Sequence, residues 1–145
     1  MDPIAVKKLR DTALIPTYGS KEAAGADLYA CLESPVTIAP AETVFVPTGI
    51  AMELPVGFAG LIYARSGLAC KRALAPANKV GVIDSDYRGE IIVALHNHSN
   101  VDQQIAPGER IAQLVIAPVF TPGFIEANEL NDTARGTGGF GSTGK

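Results

Sequence analysis

Short apolar runs rich in Val, Ile, Thr, Tyr and Phe follow one another along this chain, and 15 glycines and 10 prolines punctuate them every several residues. Runs of this kind bounded by turn formers read as strands. The pattern predicts strands over 4–9, 26–31, 36–38, 43–46, 49–54, 60–63, 79–83, 91–96 and 110–119. So many short strands in one chain imply an all-β fold, because sandwiches, jelly rolls and barrels dispose of exposed strand edges. The pattern does not choose among those three.

One stretch breaks the alternation. Residues 66–74, SGLACKRAL, combine Ser66 at an N-cap position with helix formers and with cations in the later turn, which predicts one short helix. Arg65 and Ser66 then stand at its N-terminus, where free N–H groups favour an anion such as phosphate. The same residues fit a second reading, in which Ser66 only caps the helix and Arg65 pairs with a surface carboxylate. A second stretch, GVIDSDYRGE at 81–90, packs two carboxylates, a tyrosine and an arginine between two glycines. It reads as a strand end, a polar bend over Asp84, Ser85 and Asp86, and a return into the apolar run 91–95, in other words a hairpin. A carboxylate held that way serves as a general base, a metal ligand or a turn former.

Length and charge narrow the picture. A chain of 145 residues is one domain by length, and a domain of that size buries roughly 68–70% of its unfolded surface, so the core needs no disulfide or metal. Twelve Lys and Arg against 15 Asp and Glu give a net charge of −3, which argues against non-specific nucleic-acid or acidic-membrane binding and leaves any anion to a local site. Cys31 and Cys70 lie far apart without CxxC spacing and read as small core hydrophobes of a reducing compartment. No leader-like segment or long apolar run is seen, so the expectation is a soluble cytoplasmic protein.

Other groupings carry less. His96 and His98 share a face if their strand continues, but a metal needs three or four ligands and no neighbour completes the set. The DxD of residues 84–86 is also found in nucleotide-sugar transferases, whose domains are far larger than this chain. No Ser-His-Asp arrangement has a supporting motif. Gln113 is a polar residue in an otherwise apolar run and has to find hydrogen bonds, as a structural bridge or a ligand contact. From about residue 126 apolar periodicity stops, and the chain ends RGTGGFGSTGK. Its GxxxxGK at 139–145 is no P-loop, because neither a Ser/Thr for magnesium nor a helix follows the lysine. The tail reads either as an unpacked terminus or as an arm that closes over a ligand, with Phe140 stacking and Arg135 on phosphate.

Five of these segments together resemble the five ordered motifs of the trimeric deoxyuridine triphosphatase (dUTPase) family: AGADLYA at 24–30, ARSGLA at 64–69, GVIDSDYRGEI at 81–91, GERIAQL at 108–114 and RGTGGFGSTG at 135–144. The one departure is Ala64, where the family usually has proline; it removes no ligand-binding group. The resemblance implies a jelly-roll β domain over residues 1–130 and a flexible arm over 131–145 that closes the active site of a neighbouring subunit. It implies hydrolysis of dUTP to dUMP and pyrophosphate, limiting uracil in DNA and supplying dUMP for thymidylate synthesis. Asp84 matches the family's catalytic carboxylate, which activates a water for in-line attack on the α-phosphorus. Arg65, Ser66, Gly67 and Gln113 match phosphate-binding positions, and Asn78, Gly81, Val82 and Ile83 the uracil reader. Tyr87 would lie under the deoxyribose, where a ribose hydroxyl would clash. Arg135, Gly139, Phe140 and Gly141 belong to the closing arm. Mg2+ is implied as cofactor, held mainly by the triphosphate with Asp27 reaching it through water. The implied assembly is a homotrimer with shared sites and no nucleic-acid or membrane partner. The dCTP deaminases share the implied fold but differ around the 81–91 segment, and a catalytically idle nucleotide-binding trimer is the alternative outside the enzymes.

Overall fold

The computed structural model describes residues 2–140. Among these residues the chain forms β1 (Ala5–Lys8), β2 (Thr17–Tyr18), β3 (Ala26–Tyr29), β4 (Val36–Ile38), β5 (Thr43–Pro47), β6 (Ile50–Glu53), β7 (Phe58–Tyr63), α1 (Ser66–Arg72), β8 (Leu74–Pro76), β9 (Gly81–Ile83), β10 (Ile92–Asn97), β11 (Gln103–Ile105) and β12 (Arg110–Pro118). A five-stranded sheet of order β2-β3-β12-β7-β9 lies with a three-stranded one of order β5-β10-β8, and the pairs β1-β6 and β4-β11 complete the architecture. Every pairing is antiparallel. This is the all-β, jelly-roll-like arrangement with one short helix that the strand pattern and the motifs predict.

The core draws on all the sheets: Leu28, Ile38, Val46, Ile50, Leu74, Val93, Leu95, Ile105 and Ile111 are shielded from solvent essentially completely. Each such burial stabilises the fold by about 1.5–3 kcal/mol. Along β10 the alternation is clean, with Val93, Leu95 and Asn97 inward and Ile92 outward. In β12 the register slips between Arg110 and Ala112, so Ile111 and Ala112 are both buried. A bulge re-aims the neighbouring side chain. Arg110 thereby faces Asp27 of β3.

Several local expectations change. The segment 81–96 is not a β-hairpin: β9 pairs only with β7, whereas β10 pairs with β5 and β8. The 84–91 stretch therefore carries the chain from one sheet to the other. Its strand begins at Gly81 and not at 79, because Lys79 has φ 34°, outside the extended region. Ser66 is not the N-cap of α1; Arg65 is, with φ −87° and ψ 130° and no side-chain cap bond, and Ser66 is the first helical residue. The helix ends at Arg72 because Ala73 turns left-handed at φ 53°, and Leu74 goes into β8 instead. The short strands 17–18, 74–76 and 103–105 lie outside the predicted set. Cys31 is buried as expected, but Cys70 is exposed on α1, whose single buried residue is Leu68. The last described strand ends at Pro118.

Candidate active site

β9 is the outer strand of the five-stranded sheet, so one row of its backbone N–H and C=O groups has no strand partner among the described residues. Beside it a cleft of about 380 Å3 opens between this sheet and the three-stranded one, with Phe45 and Ile92 on the far wall. Asn78, Gly81, Val82, Ile83, Asp84 and Tyr87 all line it, so six positions singled out in the sequence come together. Two of them depend on glycine. A Cβ on Gly81 would come within 3.0 Å of Asn78 Nδ2, and one on Gly89 would overlap the Tyr87 ring. Tyr87 is held on that seat by its hydroxyl, which donates to the Glu90 carbonyl at 3.0 Å, while its amide donates to the Asp84 carbonyl at 3.2 Å. The carboxylate of Asp84 stays exposed at the lip.

Glu90, which also lines the cleft, accepts from the Gly49 amide at 2.8 Å and from both terminal nitrogens of Arg10 at 2.5 and 3.1 Å. The Arg10 hydrogen bond holds the Glu90 carboxyl below the usual carboxylate range, against the opposing pull of burial, and Glu90 in turn raises the Arg10 guanidinium.

The second group lies at the other end of β7. Asp27, 8% exposed, receives Arg65 Nε at 2.6 Å on one oxygen and Arg110 Nη1 at 3.3 Å on the other. Gln113 stands opposite Asp27 in the β3-β12 register and donates its amide to the Ala64 carbonyl at 2.8 Å, bracing the turn that leads to Arg65. Gly25 makes room for it: a Cβ there would sit 2.5 Å from Gln113 Oε1. Ser66 and Gly67 are exposed beside this corner. Of the two sequence readings for Arg65, pairing with a carboxylate is what the chain shows, but the partner is the buried Asp27 and not a surface group. Arg110, Glu90 and Arg10 were missed; the first two sit inside motif segments, and nothing in the sequence marks Arg10, whose partner is 80 positions away.

The two groups do not meet within one chain. Ile83, next to Asp84, pairs with Gly60, and Arg65 follows five residues later. At about 3.3 Å per extended residue that is a separation on the order of 15 Å. Arg135 donates to the carbonyl of its own Gly138 at 2.8 Å, and Phe140 is fully exposed with φ 51°. Gly139 is half-buried, and Gly141 lies outside the described residues. Among the described residues no three His, Cys, Asp or Glu side chains form a metal cage. His96 bonds Thr43 Oγ1 through Nδ1 at 2.9 Å and meets His98 edge-on. Burial, with Lys79 and His96 nearby, pushes the His98 imidazole down. No described helix is long and apolar enough to cross a membrane.

The chain is similar to known proteins along nearly its whole length. The family model described as dUTPase matches residues 11–144. The deoxyuridine 5'-triphosphate nucleotidohydrolase of Nautilia profundicola is 53% identical over 98% of this chain and 99% of its own length, and that of Syntrophotalea carbinolica 48% identical over 97% and 96%. Among solved structures, a Staphylococcus bacteriophage 80alpha dUTPase with dUpNHpp superposes with a TM-score of 0.91 at 28% identity, covering both chains completely. A dUTPase from phage phi11 of S. aureus, described with a structural Mg(II) ion, superposes with a TM-score of 0.81 at 25% identity over 90% of this chain and all of its own. With the family model spanning nearly the whole sequence and relatives about half identical from end to end, the chain belongs to the dUTPase family.

Proposed function

We propose that the chain hydrolyses dUTP to dUMP and pyrophosphate. The observation that carries this reading is the cleft beside β9, where an unpaired strand edge, Asn78, Tyr87 and the exposed Asp84 converge. Uracil pairs with the free backbone edge of β9 at Gly81, Val82 and Ile83, with Asn78 completing the contact. A narrow slot built from backbone tolerates neither a 5-methyl group nor the reversed donor pattern of cytosine. Tyr87 closes the space beside C2' of the sugar. Asp84 takes a proton from a water as its oxygen bonds to the α-phosphorus; the bond from that phosphorus to the bridging oxygen breaks and pyrophosphate leaves. General-base help of this kind is worth typically ~10²–10⁴ in rate.

The triphosphate is held by Arg65, Ser66, Gly67 and Gln113. Their separation from Asp84 supports a site shared between subunits of a homotrimer, in which the cationic corner of one chain faces the cleft of another. The arm 131–145 of a third chain closes the site, Phe140 on the base and Arg135 on the phosphates, with Gly139 and Gly141 among its substrate-binding positions. A lone carboxylate already facing two guanidiniums is no cage for a divalent ion, which fits Mg2+ held by the triphosphate with Asp27 on its hydration shell. Mg2+ bound there would neutralise charge on the phosphate oxygens and the departing pyrophosphate.

Pyrophosphate release from dUTP, measured with Mg2+ beside dCTP, dTTP and UTP, tests the reading. Fast release from dUTP alone is the expected result. Ammonia from dCTP, or no release from dUTP, overturns it.

A further inference from the structure

We infer that the Arg10–Glu90 ion pair is a positioning device for the reacting loop, through which the N-terminal segment sets Tyr87, and with it the Asp84 turn, against the nucleotide. The inference rests on the dUTP-hydrolysis reading and concerns residues outside the groups that touch the substrate in it.

The loop 84–89 needs such a device. It leaves β9 at Ile83 and reaches β10 at Ile92, strands of two different sheets, so no ladder of its own holds it. Its internal bonds, from Arg88 Nη1 to the Ser85 carbonyl at 2.7 Å and from the Tyr87 amide to the Asp84 carbonyl, fix its shape but not its place. The outward tie from Arg88 to Glu53 is long at 3.4 Å, and both side chains are more than half exposed. What fixes the place is Glu90. Its carbonyl receives the Tyr87 hydroxyl, and its carboxylate is shared between Arg10 and the Gly49 amide. The next residue is laced to the same turn, Ile91 N–H to the Ile50 carbonyl at 2.9 Å and Thr48 Oγ1 to the Ile91 carbonyl at 2.6 Å.

The receiving end is rigid. Gly49 has φ 70°, and a Cβ there would lie 2.7 Å from Cys31 Sγ and 2.8 Å from the Ala13 methyl, so the turn is packed tightly on that side. The Leu9 amide donates to the Gly49 carbonyl at 2.7 Å, which brings Arg10 alongside. A bidentate arginine fork restrains a carboxylate in angle as well as distance. Without it, the Glu90 carboxylate keeps only the Gly49 amide, and the Glu90–Ile91 peptide, held from its other side by the Ile91 N–H on the Ile50 carbonyl, loses one of its two restraints, so the carbonyl on which Tyr87 is seated can tilt. Exposed ion pairs add little to stability. This one has Glu90 only 19% exposed, and its effect falls on geometry, where a small displacement is costly.

The test compares wild type, Arg10→Gln, Arg10→Lys, Glu90→Gln and the Arg10→Gln/Glu90→Gln double variant in steady-state hydrolysis of dUTP and UTP with Mg2+. Arg10→Gln and Glu90→Gln are expected to lower kcat for dUTP about tenfold, and to narrow the preference for dUTP over UTP by a similar factor, as Tyr87 loses its seat. The double variant loses no more than the worse single one, because the two residues act through one contact. Arg10→Lys, which keeps the charge and loses the fork, falls between. A folded Arg10→Gln with wild-type kcat and wild-type preference overturns the inference, as does a double variant whose loss is the product of the two singles. If Arg10→Gln does not fold, an Arg10→Lys indistinguishable from wild type in both ratios overturns it equally. Wild type failing to hydrolyse dUTP is a separate result and counts against the function, not the positioning.

Discussion

The two halves of the site are built in opposite ways. The cleft beside β9 is preset by backbone: an edge strand, two glycines that seat Asn78 and Tyr87, and a loop pinned by Glu90 leave the Asp84 carboxylate exposed, with no side-chain partner among the described residues to give up. At the corner by β3 the relevant side chains are already spent on one another, with Asp27 between Arg65 and Arg110 and Gln113 on the Ala64 carbonyl. The cleft has only to be entered, whereas the corner has to exchange an internal ion pair for a ligand anion. A neutral, shape-read base suits the first kind of site, and a highly charged chain of phosphates, strong enough to compete with a carboxylate, suits the second. Selectivity should therefore respond to changes in the cleft and affinity to changes in the corner.

The largest break in that contrast is Asp84→Asn. The amide keeps the size of the side chain, and the Tyr87 amide still reaches the backbone carbonyl of residue 84. Binding measured with a non-hydrolysable dUTP analogue should stay within a few-fold of wild type. Turnover should fall by ~10²–10⁴, the share of a general base. Near-normal turnover would mean that the carboxylate at the lip is a turn former only.

Gly25→Ala probes the other half with a smaller effect. The new methyl would sit 2.5 Å from Gln113 Oε1 and 3.1 Å from its Cδ, and Gln113 braces the turn before Arg65. Losing one polar contact of about 1–1.5 kcal/mol raises KM for dUTP roughly tenfold. The preference for dUTP over UTP should not move, since the sugar lies in the cleft. A lost preference with an unchanged KM would invert the assignment of the two halves.

How much of this was legible in the sequence follows the range of the interactions. Local periodicity located nine of the strands and the helix, and the segment 81–90 was recognisable by its density of polar side chains between glycines. The false hairpin shows where periodicity stops: two runs joined by a turn-rich bend look alike whether they pair or part to different sheets, and only β7 and β5, far along the chain, decide it. Asp27 meeting Arg65 and Arg110, 38 and 83 positions away, has the same character. Glu90 stood in plain view in a motif but looked like the end of a turn, because Arg10 gives no local sign of its partner. Ser66 failed as a cap for a subtler reason: the chain stays extended through Arg65, so the position that a capping serine would need falls one residue earlier.

Ala73→Gly is the smallest effect and the sharpest control. Ala73 closes α1 in the left-handed region, φ 53° and ψ 31°, with its amide donating to the Leu68 carbonyl. A Cβ in that region costs about 1–2 kcal/mol, which glycine avoids at the expense of a more mobile unfolded chain. The net gain should be about 0.5–1 kcal/mol and lift the melting temperature by roughly 2–4 °C, read by calorimetry at one fixed protein concentration because assembly also moves it. Ala73 follows the helix at the end opposite Arg65, and its carbonyl is taken by the His98 amide. If the corner is held by Asp27 and Gln113 alone, KM for dUTP stays put while stability rises. A changed KM would show that strain at the far end of α1 is transmitted through the helix to Arg65, and that the corner is looser than its ion pairs make it look.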